Sequence, residues 1–178
     1  MTVVAGSGSV AMSSGPARGV VFIHSVPRAV SPHLEWALAK IFGANFSVDW
    51  ADQPIAPGSV RAEIIWTGAV GTGARVASAL LAFAQARYEV TEDASVGREG
   101  ERFVATPNLG LHRSTIGVHG DVMVHEDRIR SLIHQSAMTG ESPVDELQRL
   151  IGTPWDEEIE PFRAAHADST VRVLHAVV

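Results

Sequence analysis

The chain of 178 residues contains no cysteine, a single lysine and only 6% aromatic residues. The absence of cysteine excludes disulfide bonds, thiolate metal sites and a cysteine nucleophile. No apolar run approaches the roughly 20 residues that a membrane-spanning helix needs, so we expect no membrane insertion. Charged residues make up 19% of the chain and the mean hydropathy is +0.11, which argues against wholesale disorder.

Positive charge is also scarce, because 20 acidic residues outnumber 14 basic ones and give a net charge of -6. Nucleic-acid-binding proteins usually carry a basic stripe that contacts phosphates. The densest basic pair here, Arg128 and Arg130, adjoins Glu126 and Asp127, so we expect no nucleic-acid ligand. The first basic residue is Arg18, so the start of the chain lacks the positive segment of a secretory signal. We therefore expect a cytoplasmic protein.

The distribution of small and apolar residues predicts a flexible leader over 1–17 and one α+β domain over 18–178. The leader is rich in glycine and serine and has no apolar period. Within the domain, 18–95 has the pattern of a compact core, and 96–178 that of a sheet extension followed by helices.

The core pattern alternates between strand spacing and helix spacing. A serine and a proline at 31 and 32 mark the start of its first helix, and Gly43 marks the end. The predicted strands are 20–23, 46–50, 62–66 and 88–90, and the predicted helices include 32–42 and 76–83. This order is typical of a ferredoxin-like βαββαβ core, with an antiparallel sheet and both helices on one face.

The remaining segments predict additional strands and helices. The strands are 103–105 and 111–118, joined by a turn, and a last strand at 171–175. Three helices begin near Glu126, Ser142 and Trp155. Acidic residues in a first helical turn favour the helix dipole, which supports the first of these starts.

Two segments of the core have the chemistry of an anion site. The glycine-rich turn with Gly71, Thr72, Gly73 and Arg75 follows a strand and opens a helix, where backbone N–H groups hold phosphates or carboxylates. Its spacing matches neither a Walker loop nor a dinucleotide fingerprint, so a tight turn capped by Thr72 is the alternative. His24 and Arg28 follow the first strand and would contact an acidic group, with an ordinary loop as the alternative.

Histidines and tryptophans supply two further candidate sets. His119, Asp121 and His125 are weak candidates for metal ligands, since their spacing fits no helical zinc signature and the prediction remains that no metal is bound. Trp36, Trp50 and Trp66 are candidates for an interaction surface. The last two would form a cross-strand pair, and burial in the core is the alternative.

Five segments of the chain resemble an actinobacterial family known only as a domain of unknown function. They are GVVFIHS (19–25), PHLEW (32–36), GTGAR (71–75), RYEVTE (87–92) and GVHGDVM (117–123). The resemblance covers roughly Gly19 to the end and transfers no catalytic residue. Genes of that family often lie near those of type II fatty-acid synthesis, which implies an accessory role in acyl-chain or acyl-CoA metabolism.

These observations predict a non-catalytic accessory or binding protein that docks on a larger enzyme complex, of acyl-CoA carboxylation or fatty-acid synthesis. The residues assemble no nucleophile–base pair, and no cofactor is predicted. The alternative is a small enzyme or sensor that binds an anionic ligand such as an acyl-CoA. It would use the glycine-rich turn together with His24, Arg28 and Arg75.

Overall fold

The computed structural model describes residues 15–140 and 142–175, with side chains described up to Ala165. Of the predicted leader, 1–14 lie outside the described residues, and Ala17 already belongs to the first strand. The strands are β1 (Ala17–Pro27), β2 (Ala51–Asp52), β3 (Ser59–Gly68), β4 (Arg87–Glu92), β5 (Gly100–Thr106), β6 (Gly110–Ile116) and β7 (Val122–Met123). The helices are α1 (Ser31–Phe42), α2 (Thr72–Leu80), α3 (Glu126–Thr139), α4 (Pro143–Ile151) and α5 (Thr153–His175).

Within the described residues, seven strands form one antiparallel sheet in the order β2-β3-β1-β4-β5-β6-β7. The prediction of an α+β fold is confirmed. The order of the first four strands is compatible with the predicted ferredoxin-like core, in which β1 lies between β3 and β4. Strands β5 to β7 extend the same sheet, so hydrogen bonds between β4 and β5 cross the predicted boundary at 95.

The main core lies between the sheet and the pair α1 and α2. Apolar side chains at alternate positions of each strand point to these helices, as the pleat of a strand requires. The fully buried members include Val21, Ile23, Val26, Leu34, Leu38, Val60, Val76, Leu80 and Val90. Tyr88 also points to this side, and its hydroxyl donates to the Ala77 carbonyl of α2 at 3.1 Å. Burial raises the pKa of Tyr88, so the phenol stays protonated.

Helix α5 packs on the opposite face of the sheet, against β1 and β5. Ile159 of α5 and Val104 of β5 are fully buried on this side. The same face also carries His24, Glu89 and Arg102, which are charged or polar residues at positions where a strand between two layers usually has apolar ones. This polar layer beneath α5 is the main departure from a simple apolar sandwich.

Two sequence predictions about strands are wrong. The alternating segment 46–50 has no strand pairing, and β2 covers only Ala51 and Asp52. The apolar side chains of this segment still pack against the core and are partly buried, as seen for Phe46, Val48 and Trp50. Their alternation therefore reflects burial and not hydrogen-bonded strand pairing. The predicted last strand at 171–175 lies within α5. Two valines in alternation, at 171 and 173, were too short a signal to distinguish a strand from a helix end.

Gly19 provides a test of the pairing between β1 and β4. A Cβ atom at this position would lie 1.9 Å from the Thr91 carbonyl oxygen and 2.7 Å from the Trp66 ring. Backbone cannot move aside cheaply, so we expect Gly19→Ala to lower the free energy of unfolding by about 3 kcal/mol or more. The control is Gly15→Ala, because a Cβ at Gly15 meets nothing within 4 Å. Equal urea midpoints for the two variants would contradict the register described.

Candidate functional site

A group of five charged or polar side chains lies together between the sheet and α5. It joins His24 of β1, Glu89 of β4 and Arg102 of β5 with Asp156 and Arg163 of α5, and we call these five residues the buried cluster. Glu89 lies opposite Phe22 of β1 and Val104 of β5 in the register, so its carboxylate is at the middle of the sheet. Only 8% of the residue is exposed.

Three donors surround the Glu89 carboxylate. The Nε2 atom of His24 lies 2.9 Å from Oε2, the Nε of Arg102 donates to Oε1 at 2.8 Å, and the Nε of Arg163 donates to Oε2 at 3.1 Å. Buried carboxylates require such partners, because an unpaired charge in a region of low dielectric is costly. Glu89 is thus the acceptor through which residues of three strands and one helix meet.

Asp156 completes the connection between the helix and the sheet. Its Oδ1 accepts from the Nη2 atom of Arg102 at 2.6 Å and from the Nη2 atom of Arg163 at 2.8 Å. Each arginine therefore bridges Glu89 and Asp156, and planar guanidinium groups are well suited to such two-sided contacts. The cluster consequently fixes the position of α5 on the sheet.

The cluster controls the ionisation of its own members. Burial by itself would raise the pKa of Glu89, but the hydrogen bond from His24 and the charges of Arg102 and Arg163 lower it to about 2. Burial likewise works against the charged form of Arg163, yet Glu89 and Asp156 raise its pKa above the usual value. Since Glu89 is ionised and can only accept, the His24 Nε2 atom carries the hydrogen of that bond.

A cavity of about 220 Å³ adjoins the cluster beneath α5. His24, Glu89 and Arg163 form part of its wall, and Phe22 and Phe162 add two aromatic rings. The surface facing the cavity is mostly apolar, because most of the polar atoms behind it point at one another. The side chain of Gln53, for example, donates to the His24 carbonyl oxygen at 2.6 Å.

The predicted anion site at the glycine-rich turn has an internal acceptor. Glu92, the last residue of β4, accepts hydrogen bonds from the backbone N–H groups of Gly71 at 2.8 Å and Gly73 at 2.9 Å. The residue at the N-cap of α2 is Gly71, in the left-handed region with φ of 86°, rather than the predicted Thr72. Binding of an external anion stays a prediction and requires displacement of Glu92.

The predicted partners of this turn lie apart from it. Arg75 is exposed on α2 and faces Lys40 of α1 across a shallow groove. Arg28 forms an exposed ion pair with Asp52 of β2. His24 points into the buried cluster. The structure therefore does not bring His24, Arg28 and Arg75 together around one ligand, and the joint use predicted for them is not supported by the geometry.

The three candidate tryptophans lie in different environments. Trp66 is 3% exposed and belongs to the core, which corrects its prediction as an interaction residue. The indole of Trp50 donates to Glu35 at 2.9 Å, outside any cross-strand pair. Trp36 is 64% exposed and touches the His33 ring edge-on, with centroids 5.2 Å apart. Trp36 alone keeps the exposure that an interaction surface needs.

The candidate metal ligands lie between β6 and α3. His119 and Asp121 are exposed in the turn before β7, and His125 precedes the first residue of α3. In the part of the chain that the structure describes, no three His, Cys, Asp or Glu residues come together as a metal site would require. The three residues are not assembled into one constellation.

The sequence analysis did not single out Glu89, Arg102 or Arg163 of the buried cluster. Glu89 carried a readable signal, because it is a charged residue between Tyr88 and Val90 in a segment with strand spacing. A charge inside a two-sided strand needs partners, and arginines elsewhere are the natural ones. Which arginines these are depends on the packing of α5, which no local pattern specifies.

Helices α3 and α4 carry a second notable feature, a set of exposed apolar side chains that we call the α3–α4 surface. Its members are Ile133, Met138, Val144, Leu147 and Ile151. In α4 no residue is buried among those that the structure describes, although its apolar and polar residues lie on different sides. This helix therefore offers its apolar stripe to solvent.

Fold and site together define an α+β protein with one antiparallel sheet, an ion cluster beneath its last helix and an adjoining small cavity. Residues 20–176 match the family described as protein of unknown function DUF3145, and the chain belongs to that family. No curated protein and no solved structure matches it. None of the helices, in the range described, has the length and apolar character to cross a membrane.

The ionised state of Glu89 can be tested by the pH dependence of stability. Its pKa is about 2 in the folded protein against an ordinary value of 4.5, so its stabilisation is present above pH 4.5 and is lost as the pH falls towards 2. We expect Glu89→Gln to lower the free energy of unfolding by about 3 kcal/mol at pH 7. The variant should also lose less of this free energy than the unmodified protein as the pH falls from 4.5 towards 2. Urea titrations of Glu157→Gln, at an exposed position of α5, provide the control. If the free energy of unfolding of Glu89→Gln depended on pH as it does in the unmodified protein, Glu89 would not be the ionised group responsible.

The role of Glu92 can be tested by chemical rescue. Glu92→Ala leaves the N–H groups of Gly71 and Gly73 without their acceptor, so we expect the free energy of unfolding to fall by about 1–3 kcal/mol. Saturating inorganic phosphate should then raise the Tm of this variant by at least about 2 °C and leave the unmodified protein unchanged. Glu99→Ala, at an exposed position in the following loop, is the control. Equal stabilisation of the unmodified protein would show that the turn accepts anions with Glu92 in place.

Proposed function

We propose that the protein is a non-catalytic accessory protein that docks on a larger enzyme through the α3–α4 surface. The observation that carries this proposal is the exposure of α4, where Val144, Leu147 and Ile151 are 60%, 38% and 41% exposed. These residues recur at i, i+3 and i+7, so they lie on one side of the helix. Exposed apolar groups in such an arrangement usually mark a binding surface.

The spacing also indicates the chemistry of the partner. Apolar anchors at i, i+3 and i+7 are typical of an amphipathic helix that inserts into an apolar groove of another protein. Neighbouring α3 adds Ile133 and Met138, which are 60% and 75% exposed. Methionine is flexible and adapts to irregular apolar surfaces. We therefore propose a partner with an apolar groove rather than a charged ligand for this surface.

Family context supports a choice among possible partners. The chain resembles an actinobacterial family whose genes lie near those of type II fatty-acid synthesis. We propose that the partner is an enzyme of acyl-CoA carboxylation or fatty-acid synthesis, and that the two meet in the cytoplasm. The buried cluster supports a non-catalytic role, because its acidic and basic groups contact one another rather than a nucleophile. The exposed Trp36 lies on α1 and would belong to a separate contact.

A binding experiment with purified proteins tests the proposal. Acyl-CoA carboxylase subunits and fatty-acid synthesis enzymes of the same organism are immobilised, and binding of the full chain is measured by biolayer interferometry. The variant Val144→Asp with Ile151→Lys places each charge at the end of α4 where the helix dipole favours it. We expect the variant to lose at least tenfold in affinity, since central anchors of an interface cost more than 1 kcal/mol when removed.

The matched control introduces the same charges at apolar positions outside the surface. Val96→Asp with Val118→Lys changes two residues that are 90% and 79% exposed in loops, and it should bind as the unmodified protein does. Absence of binding to every enzyme at micromolar concentration would contradict the proposal. So would equal affinities of the two double variants, or self-association through α3 and α4 in analytical ultracentrifugation.

A further inference from the structure

The cavity beneath α5 has the dimensions of a binding site for a small molecule. Its volume is about 220 Å³, whereas an engineered apolar cavity of about 150 Å³ is already large enough for benzene. Residues of β1 and β4, among them His24 and Glu89, line it on one side, and Phe162 and Arg163 of α5 line it on the other. A ligand of about the size of one substituted ring fits this space.

Two phenylalanine rings leave apolar surface uncovered in the cavity. Phe22 of β1 and Phe162 of α5 both line it, and both are only partly buried. The Phe22 ring lies nearly parallel to the His24 ring, at an angle of 12° with centroids 6.0 Å apart. The guanidinium of Arg87 lies 4.9 Å from the centroid of the Phe162 ring. Because removal of apolar surface from water is favourable, an apolar group that covers both rings is stabilised there.

The ionic groups beside the cavity balance one another. Glu89 accepts hydrogen bonds from His24, Arg102 and Arg163. Asp156 accepts from the same two arginines, so two carboxylates meet two guanidinium groups. The charges of Glu89 and Arg163, the two cluster members of this set that line the cavity with His24, are thus compensated before any ligand binds.

The other polar residues of the wall are engaged as well. The Nη1 atom of Arg61 donates to the Ala165 carbonyl oxygen at 3.3 Å, and this side chain has at least one further interaction. The side chain of Gln53 donates to the His24 carbonyl oxygen at 2.6 Å and accepts from the Ile55 N–H group at 3.3 Å. A charged ligand would lose its water in the cavity and would gain a partner only by breaking one of these contacts. The wall therefore disfavours ions of either sign.

We infer that the cavity beneath α5 binds a small uncharged molecule with an apolar body of about the size of one ring. The ligand packs against Phe22 and Phe162, and every ionic contact of the buried cluster stays intact in the occupied state. This site is separate from the α3–α4 surface and from the glycine-rich turn, and it does not depend on the docking proposal.

Three probes of similar size and different charge test this inference. Toluene, benzoate and benzylamine are titrated into the full chain at neutral pH, where the last two are ions. Binding is followed by calorimetry and by amide chemical shifts in NMR spectra. We expect toluene to bind with a Kd on the order of 1 mM or tighter, as ligands of so few atoms allow. Both ions should bind at least tenfold more weakly. The largest shifts should fall on Phe22, His24 and Phe162.

Variants separate the cavity from other apolar sites on the protein. Phe22→Trp and Phe162→Trp fill the cavity from opposite walls, and each should reduce the affinity for toluene at least tenfold. The matched control is Phe83→Trp, because Phe83 is partly buried against the α1–α2 core on the other side of the sheet. This control should bind toluene as the unmodified protein does.

Several outcomes would overturn the inference. They are failure of toluene to bind the unmodified protein, binding of benzoate or benzylamine as tight as that of toluene, and shifts located away from the cavity. Equal toluene affinities in all three tryptophan variants would also overturn it. The shifts and the comparison of the three probes are measured on the unmodified chain, so they decide the question even where a variant fails to fold.

Discussion

The burial of Glu89 constrains the rest of this structure. A carboxylate in the middle of a sheet, with one layer of helices on each side, is stable only when donors replace the water that it loses. The sheet supplies His24 and Arg102, and α5 must supply the third donor, Arg163. Alternative positions of α5 would leave a buried charge short of a partner, so the cluster selects one packing. Replacing a whole buried ionic group by apolar residues is often neutral for stability, whereas removing one partner leaves an unpaired buried charge and is costly.

The position of α5 in turn determines where α4 can lie, because the two helices meet at Gly152. Gly152 joins the two helices with φ of 91°, and a Cβ there would lie 2.9 Å from the His112 ring of β6. Trp155 stacks on the same ring, with centroids 4.7 Å apart. Burial and the nearby charge of Arg102 lower the pKa of His112, which keeps this ring neutral and suited to packing. The exposed stripe of α4 is therefore held at a defined place beside β6.

The parts of the fold that follow local patterns could be predicted from the sequence. Long apolar runs and clear helix starts, as in β1 and α1, specify their own structure. The short alternation at 46–50 could not be assigned, because partial burial without hydrogen-bonded pairing produces the same pattern. The wrong strand at 171–175 has a similar cause. The candidate site was largely missed for a different reason. Its residues come from three strands and one helix, and only tertiary packing brings Glu89 and Arg163 within hydrogen-bond distance.

The cavity beneath α5 and the α3–α4 surface are connected through the start of α5 but have no residue in common. The cavity uses the side of the helix that carries Phe162 and Arg163, while the α3–α4 surface is connected to its first residues through Gly152. A ligand changes a distant site only when it favours one of two arrangements of the element between them. Here both arginines of the cluster bridge Glu89 and Asp156, so α5 has one arrangement that satisfies every buried charge. The cavity and the α3–α4 surface are therefore expected to act independently of each other.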